Sequence, residues 1–393
     1  MNIKREQFLW NYIQNGEFPE CYEEVTIQNK SYETKKRIKN SSKTPYVTYV
    51  SLFPKFLTPK LSNFDEYALK SVHHYNFNGA GIYINKDKND VIDTYLNVHF
   101  NKKTGNNIKR YINRLETSFN IQYEHNFGYI SQEKYNILMF RLKEMLVKRF
   151  EQKNTNNHFL KDWNENTKNI YNLINKNKAS LFVIYDEQKP ISISLNYHKN
   201  NTILFGNAST FDIDYIKFGL GHLNNYLRLD WCLQNNYMFL DLGTGITDHK
   251  KKWCNTFYDF DYHLFYKKNS ILAILILYFE IFKIKIKNII KSINLVDVIL
   301  KRISGFNLSK KNKQNSIPQY NIEIIDALSI IDTSLEVINI HSKEYEAIRL
   351  PTYNYLYSSK ENINEVSVFK IKSKSHTYLI RGKKNTIKII FNK

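Results

Sequence analysis

Residues 237–253 read Tyr-Met-Phe-Leu-Asp-Leu-Gly-Thr-Gly-Ile-Thr-Asp-His-Lys-Lys-Lys-Trp, and this stretch constrains the fold more than any other. Met238 to Leu242 is a short apolar run interrupted by Asp241, which reads as a buried strand. Gly243 and Gly245 let the backbone leave that strand sharply and approach a ligand closely. His249, three lysines and Trp253 follow. A strand that runs into a glycine turn and a cationic cluster is where α/β folds place a site. The plainer reading is a structural strand–turn with a solvated lysine face.

The surrounding chain supplies the context for that strand. Lys102 to Ser118 predicts a basic helix, carrying Lys102, Lys103, Lys109, Arg110 and Arg114. It suits either an anionic substrate or a solvated helix face. Phe119–Tyr123 predicts a strand, and Gln132–Phe150 a strongly amphipathic helix with Ser131 at its N-cap. A second helix is predicted from His158 to Asn175. Three strands follow at Ala179–Tyr185, Pro190–Tyr197 and Thr202–Asn207, whose short turns imply an antiparallel meander. A loop, a helix over about 219–236, the organising strand, a short helix at 249–253 and a strand at 259–266 complete the series.

The spacing Asp241, Gly245, His249, Lys250, Trp253 resembles the D-x-x-x-G-x-x-x-Y-K-x-x-W/F signature of the CelD-type branch of GNAT acyltransferases, related to FemAB-type transferases, with histidine in place of the aromatic before the lysine. The resemblance spans about residues 100–268. It implies an α/β (α+β) GNAT fold with a mixed central sheet, and a tandem arrangement if residues 1–100 form a degenerate second half. It also implies acyl-CoA, acetyl-CoA being the simplest, as co-substrate, with no metal. In such proteins the pyrophosphate sits at the helix start after the fourth strand, where unpaired N–H groups and the helix dipole bind anions. The matching segment here is Lys217-Phe218-Gly219-Leu220-Gly221-His222, one residue short of the usual pattern. The resemblance makes Lys217, Gly219 and Gly221 cofactor contacts, with Gly243, Gly245 and Trp253 completing that set. Asp241, His249, Lys250 and His222 are the catalytic candidates: His or Asp for proton transfer, Lys250 for developing negative charge.

Outside the core, Phe8, Leu9, Tyr12 and Ile13 predict a short helix, Pro45–Phe53 a strand and Phe64–His74 a helix. Ile82–Ile84 and Val91–Phe100 predict strands. The adjacent pair His73–His74 has diverging side chains and makes a weak metal site. Ile271–Phe282 is intensely apolar, with Glu280 interrupting it, and continues into a lysine-rich run. It is too short to span a bilayer. It reads as a buried helix closing the core or a dimer contact, with contact to an anionic membrane through 271–291 as the alternative. Lys310–Pro318 reads as a linker and Val366–Phe391 as three short strands of a small α+β appendage. The expected organisation is therefore 1–100, 101–268, 269–309 and 318–393.

Net charge is +20, but only ten of the 57 basic residues are arginine. Arginine is the residue expected at bidentate phosphate and base contacts, so DNA is not an expected partner. The acceptor implied by the resemblance is a sugar, sugar nucleotide or other cell-envelope precursor, small or lipid-linked. Two readings stand beside it: FemAB-type aminoacyl transfer from tRNA, and a catalytically silent membrane-proximal binding protein. Cys21, Cys232 and Cys254 match no metal or redox spacing, and the N-terminus lacks a secretory apolar segment, so a cytoplasmic protein is expected, at most peripheral to the inner membrane.

Overall fold

The computed structural model describes residues 3–27, 30–32, 35–36, 45–62, 65–84, 91–100, 102–155, 158–292, 319–325 and 335–392. Lys310–Pro318, read above as a linker, lies outside them. The fold is mixed α/β, with one large mixed sheet and a separate small C-terminal sheet.

The large sheet is built from β1 (Ile3–Gln7), β2 (Val47–Pro54), β3 (Tyr67–Tyr83), β4 (Ile121–Asn126), β5 (Ala179–Asp186), β6 (Lys189–Lys199), β7 (Ile203–Phe211), β8 (Phe239–Thr244) and β9 (Thr256–Lys267). Their spatial order is β1-β2-β9-β3-β8-β7-β6-β5-β4. The principal helices are α1 (Ile92–His99), α2 (Lys102–Ser118), α3 (Gln132–Gln152), α4 (Leu220–Gln234), α5 (Asp248–Trp253), α6 (Ile271–Ser292) and α7 (Glu346–Ser359). Strands β10 (Tyr320–Ile325), β11 (Leu335–Val337), β12 (Ser367–Ile371), β13 (Thr377–Arg381) and β14 (Thr386–Phe391) form the small sheet, ordered β10-β14-β13-β12-β11.

The chain divides into two compact units, each assembled from separated segments. One holds Met1–Lys86, Tyr197–Gly206 and Asn235–Lys311; the other holds Asp87–Asn196, Asn207–Gln234 and Asn312–Lys393.

In the first unit β8 pairs parallel with β7 and antiparallel with β3. Strand β3 pairs antiparallel with β9 along most of its length, from Tyr67 opposite Lys267 to Gly81 opposite Thr256, with one irregularity. That partnership corrects the helix expected at Phe64–His74: residues 67–74 are the first half of a 17-residue strand. Phe8, Tyr22, Phe53 and His263 pack ring against ring in this core, the Phe53 and His263 centroids 4.3 Å apart. On another face, Val47, Tyr262 and Leu264 receive Ile276, Leu277, Ile281 and Ile284 of α6.

In the second unit α2 occupies Lys102–Ser118 as expected. The strand expected at Val91–Phe100 is instead helix α1, which buries Ile92, Tyr95 and Leu96. The helix expected over 158–175 is broken into three short pieces, His158–Lys161, Trp163–Thr167 and Ile170–Ile174. Local side-chain-to-backbone bonds compete with a continuous helix here: Asn166 donates to the Phe159 carbonyl at 3.1 Å and Thr167 to the Trp163 carbonyl at 2.8 Å. The C-terminal elements share this unit's core: Tyr353 and Leu356 of α7 pack with Phe119, Tyr215 and Phe218. Two ion pairs add to that contact, Lys148–Glu346 at 2.6 Å and Arg349–Asp214 at 3.5 Å.

Candidate functional site

The residues singled out from sequence fall into two groups. Asp241, Gly243, Gly245, His249, Lys250 and Trp253 lie in the first unit; Lys217, Gly219, Gly221 and His222 lie in the second.

The first group is a strand–turn–helix. Asp241 on β8 is 5% exposed and accepts a hydrogen bond from the Tyr258 hydroxyl at 2.6 Å. Burial and the adjacent Asp241 carboxylate push the Tyr258 phenol well above its ordinary range, so it keeps its proton and remains a donor. Tyr258 is admitted because position 79 on β3 is glycine: a Cβ there would lie 2.3 Å from the tyrosine ring. After Asp241 the β3 pairing is interrupted until Thr244. Gly243 and Gly245 both adopt left-handed backbone, at φ 81° and 80°. The Gly245 N–H donates to the Asn78 carbonyl at 2.8 Å.

Helix α5 then starts at Thr247, whose hydroxyl accepts from the Lys250 N–H at 3.3 Å. The Lys250 ammonium turns back and donates to the Gly243 and Thr244 carbonyls, at 2.8 and 2.7 Å. It therefore closes the glycine turn from which the helix grows. Trp253 is 1% exposed and packs in the core, while His249 is half-buried on the same helix. As a proton-transfer group, Asp241 is enclosed and already hydrogen-bonded; His249 is the more accessible of the two.

The second group surrounds the start of α4. A 3₁₀ helix, Ile213–Phe218, ends at Gly219, which is left-handed at φ 65°. A Cβ on Gly219 would lie 2.6 Å from the Tyr111 ring of α2, so the close approach that this glycine permits is taken by an aromatic side chain. His222 stacks on the same ring, centroids 5.8 Å apart. The His222 and Leu223 N–H groups both donate to the Gly219 carbonyl. Among the described residues the N–H groups of Leu220 and Gly221 have no acceptor, the usual condition of a helix start and the one that suits a phosphate. The cofactor expected from sequence thus has donors to meet it here. Lys217 is exposed and lines a cavity of about 430 Å³ with Ile322, Pro351, Tyr355, Lys384 and Ile387; Gly219, Gly221 and His222 are not among its lining residues.

Two features of the second unit were not anticipated from sequence. The first is a buried polar cluster. Ser192, Ser194 and Asn196 alternate along β6 at 0% exposure, and Arg228 on α4 is 4% exposed. Arg228 donates to Asn196 Oδ1 at 3.2 Å and to Asn225 Oδ1, and Asn224 donates to Ser192 Oγ at 3.0 Å. Thr210 Oγ1, Asn224 Oδ1 and Asn225 Nδ2 are buried with no partner among the described residues. A buried guanidinium among unspent amide and hydroxyl groups can hold a polar or anionic ligand or water. The signal was present: Asn224 and Arg228 sit at i and i+4 between Leu220 and Cys232, on what is otherwise an apolar face.

The second feature is the pair Asp212 and Asp214. Burial opposes ionisation of Asp212, but Lys189 and Arg141, at 2.8 and 2.6 Å, outweigh it and hold the carboxyl below its ordinary range. Asp214 is pushed up to about 6 by burial and by the Asp212 charge. A carboxyl that titrates there can take or give a proton near neutral pH. Among the described residues no group of three or more His, Cys, Asp or Glu side chains is placed to hold a metal ion.

Residues 102–251 match the family model described as an acetyltransferase (GNAT) domain. The match covers less than half of the chain and marks a GNAT acetyltransferase domain within it. No match was found among curated proteins. Similar solved structures include a conserved protein of unknown function from Bacteroides thetaiotaomicron, at 15% identity and TM-score 0.33, covering 52% of this chain and 64% of that one. The C-terminal domain of a putative lysylphosphatidylglycerol synthetase from Agrobacterium fabrum is similar at 12% identity and TM-score 0.34, covering 59% and 70%. FemX is similar at 11% identity and TM-score 0.39, covering 59% and 74%.

Proposed function

We propose that this protein transfers an acyl group from acyl-CoA, with acetyl-CoA the simplest donor, to an amine or hydroxyl of a small or lipid-linked acceptor. A sugar, sugar nucleotide or other cell-envelope precursor is the proposed acceptor class, and CelD-type acetyltransferases are the proposed branch. The domain match over residues 102–251 carries this reading. In it, the N–H groups of Leu220 and Gly221 and the dipole of α4 meet the cofactor's phosphates, with Lys217 as a nearby cation. When bound, the cofactor supplies the thioester. The chain's part is to orient it and to remove a proton from the acceptor. His222, His249 and Asp214 are the proposed proton acceptors, each with a different claim: His222 beside the helix start, His249 on α5, and Asp214 through its displaced titration. Lys250 and Asp241 are assigned to positioning, because one closes the glycine turn and the other is enclosed by Tyr258.

The test is calorimetric titration with acetyl-CoA of the wild type, Gly221→Val and Lys250→Ala. Saturable binding that Gly221→Val abolishes, with melting unchanged, supports a cofactor at the start of α4. No binding by folded wild-type protein refutes the acyl-CoA reading.

A further inference from the structure

Helix α6 is apolar on two faces, and among the described residues only one of them is covered. Ala273, Ile276, Leu277, Ile281 and Ile284 are buried, and Glu280 is turned to the same side, where Arg5 donates to it at 2.8 Å. On the opposite side Ile271, Leu275, Tyr278, Phe282 and Ile289 are 53–79% exposed. At 100° per residue these exposed positions, with Leu272, Phe279, Ile286 and Ile290, fall within an arc of about 120° that runs the length of the helix, about 33 Å. Lys283 and Lys287 lie toward one edge of that arc and Lys285 at the other, and all three are exposed; the Lys283 ammonium donates back to Glu280 at 2.5 Å, which leaves Lys285 and Lys287 as the outward cations. The burial of the first face matches the core-closing helix read from sequence; the second face is left over from it.

From this arrangement we infer that α6 docks on a membrane surface containing anionic lipid, lying flat with its second apolar face among the acyl chains. The flanking cations select the occupant. An apolar stripe edged on both sides by lysine fits the boundary between acyl chains and anionic headgroups, where the lysine stems lie along the apolar surface and the ammonium groups reach the phosphates. A second copy of this chain, itself at net charge +20, would set like-charged lysines against each other along both edges of the contact. Insertion across the bilayer is not the geometry: no helix among the described residues is long and apolar enough to cross a membrane. The inference stands apart from the acyl-transfer reading and survives its failure.

The experiment is co-sedimentation of the full chain with vesicles of pure phosphatidylcholine and of phosphatidylcholine with 30% phosphatidylglycerol. Leu275→Ser/Phe282→Ser and Lys285→Glu/Lys287→Glu are run alongside. All four positions are exposed, so unchanged melting serves as the folding control. The expected result is binding to the anionic vesicles that the lysine variant weakens at least tenfold and that raised salt also weakens. The apolar variant should lose binding altogether. Absence of wild-type binding to anionic vesicles would overturn the inference, as would binding undiminished in Leu275→Ser/Phe282→Ser. A concentration-dependent dimer that this variant abolishes, without lipid binding by the wild type, would overturn it in favour of a second copy.

Discussion

His263 makes the first unit acid-sensitive. The side chain is 5% exposed, stacked on Phe53, and its Nδ1 lies 2.7 Å from the Tyr22 hydroxyl. Burial pulls its titration down from 6.5 to about 4, against a smaller opposing effect of Asp261. Between those values the unfolded chain binds a proton that the folded protein does not. Stability is therefore fully present above pH 6.5, is lost as pH falls, and levels off once the folded imidazole protonates near 4. A displacement of that size corresponds to about 3 kcal/mol from this one residue. His263→Phe keeps a ring among Phe53, Tyr22 and Phe265 but cannot charge. It also leaves the Tyr22 hydroxyl without its partner, at a cost of about 1–3 kcal/mol at all pH values. The informative quantity is therefore the slope. Urea unfolding from pH 7.5 to 4.5 should show the wild type losing about 2–3 kcal/mol more than His263→Phe across that span. His125, pushed down to about 4 in the other unit, contributes the same background to both proteins. Parallel pH dependences would refute the reasoning, and so would an imidazole resonance assigned to residue 263 that titrates near 6.5.

Three further outcomes are expected. Gly219→Ala should destabilise by at least about 1–2 kcal/mol from the left-handed backbone alone. The crowding against Tyr111 adds to this, and a Gly219→Ala/Tyr111→Ala double-mutant cycle in thermal unfolding should show positive coupling. Lys250→Met removes both donors to the glycine turn and should cost about 1–2 kcal/mol, with faster amide exchange confined to residues 243–250 as its signature. Arg228→Met strips donors from Asn196 and Asn225 inside the core; it should cost about 2–4 kcal/mol, measured by denaturant midpoint.

Where period and turn chemistry agreed, the fold was legible. The helix at 102–118 has the limits expected of it, and the three strands after residue 178 are joined by short turns, because both signals are local. Where propensity and period disagreed, propensity misled. Val91–Phe100 is rich in β-branched and aromatic residues and invites a strand, yet Ile92, Tyr95 and Leu96 have the i, i+3, i+4 spacing of the helix that forms. The opposite error at 64–74 came from a partner 188 residues away in sequence: His73 pairs with Asp261, and no local window contains that information. Tertiary pairing of this kind routinely overrides local preference.

The site shows the same division between local and distant causes. The spacing Asp241–Gly245–Lys250 was legible as a motif, but its physical content was not. The lysine side chain is long enough to reach back one turn and satisfy the carbonyls that two left-handed glycines leave exposed, so the pattern specifies a closed turn before it specifies any chemistry. A lysine engaged in this way ties the strand end to α5, the helix that also carries His249. The buried Arg228 cluster carries the complementary lesson. Serine and asparagine alternating along β6 resemble a solvent face until α4 is laid over them, and only then do Asn224 and Arg228 become the partners that the alternation requires. A polar residue on an apolar helix face and a polar alternation on a neighbouring strand are each ambiguous alone. Together they imply one buried hydrogen-bonded layer, since burying either without the other would leave donors and acceptors unmatched.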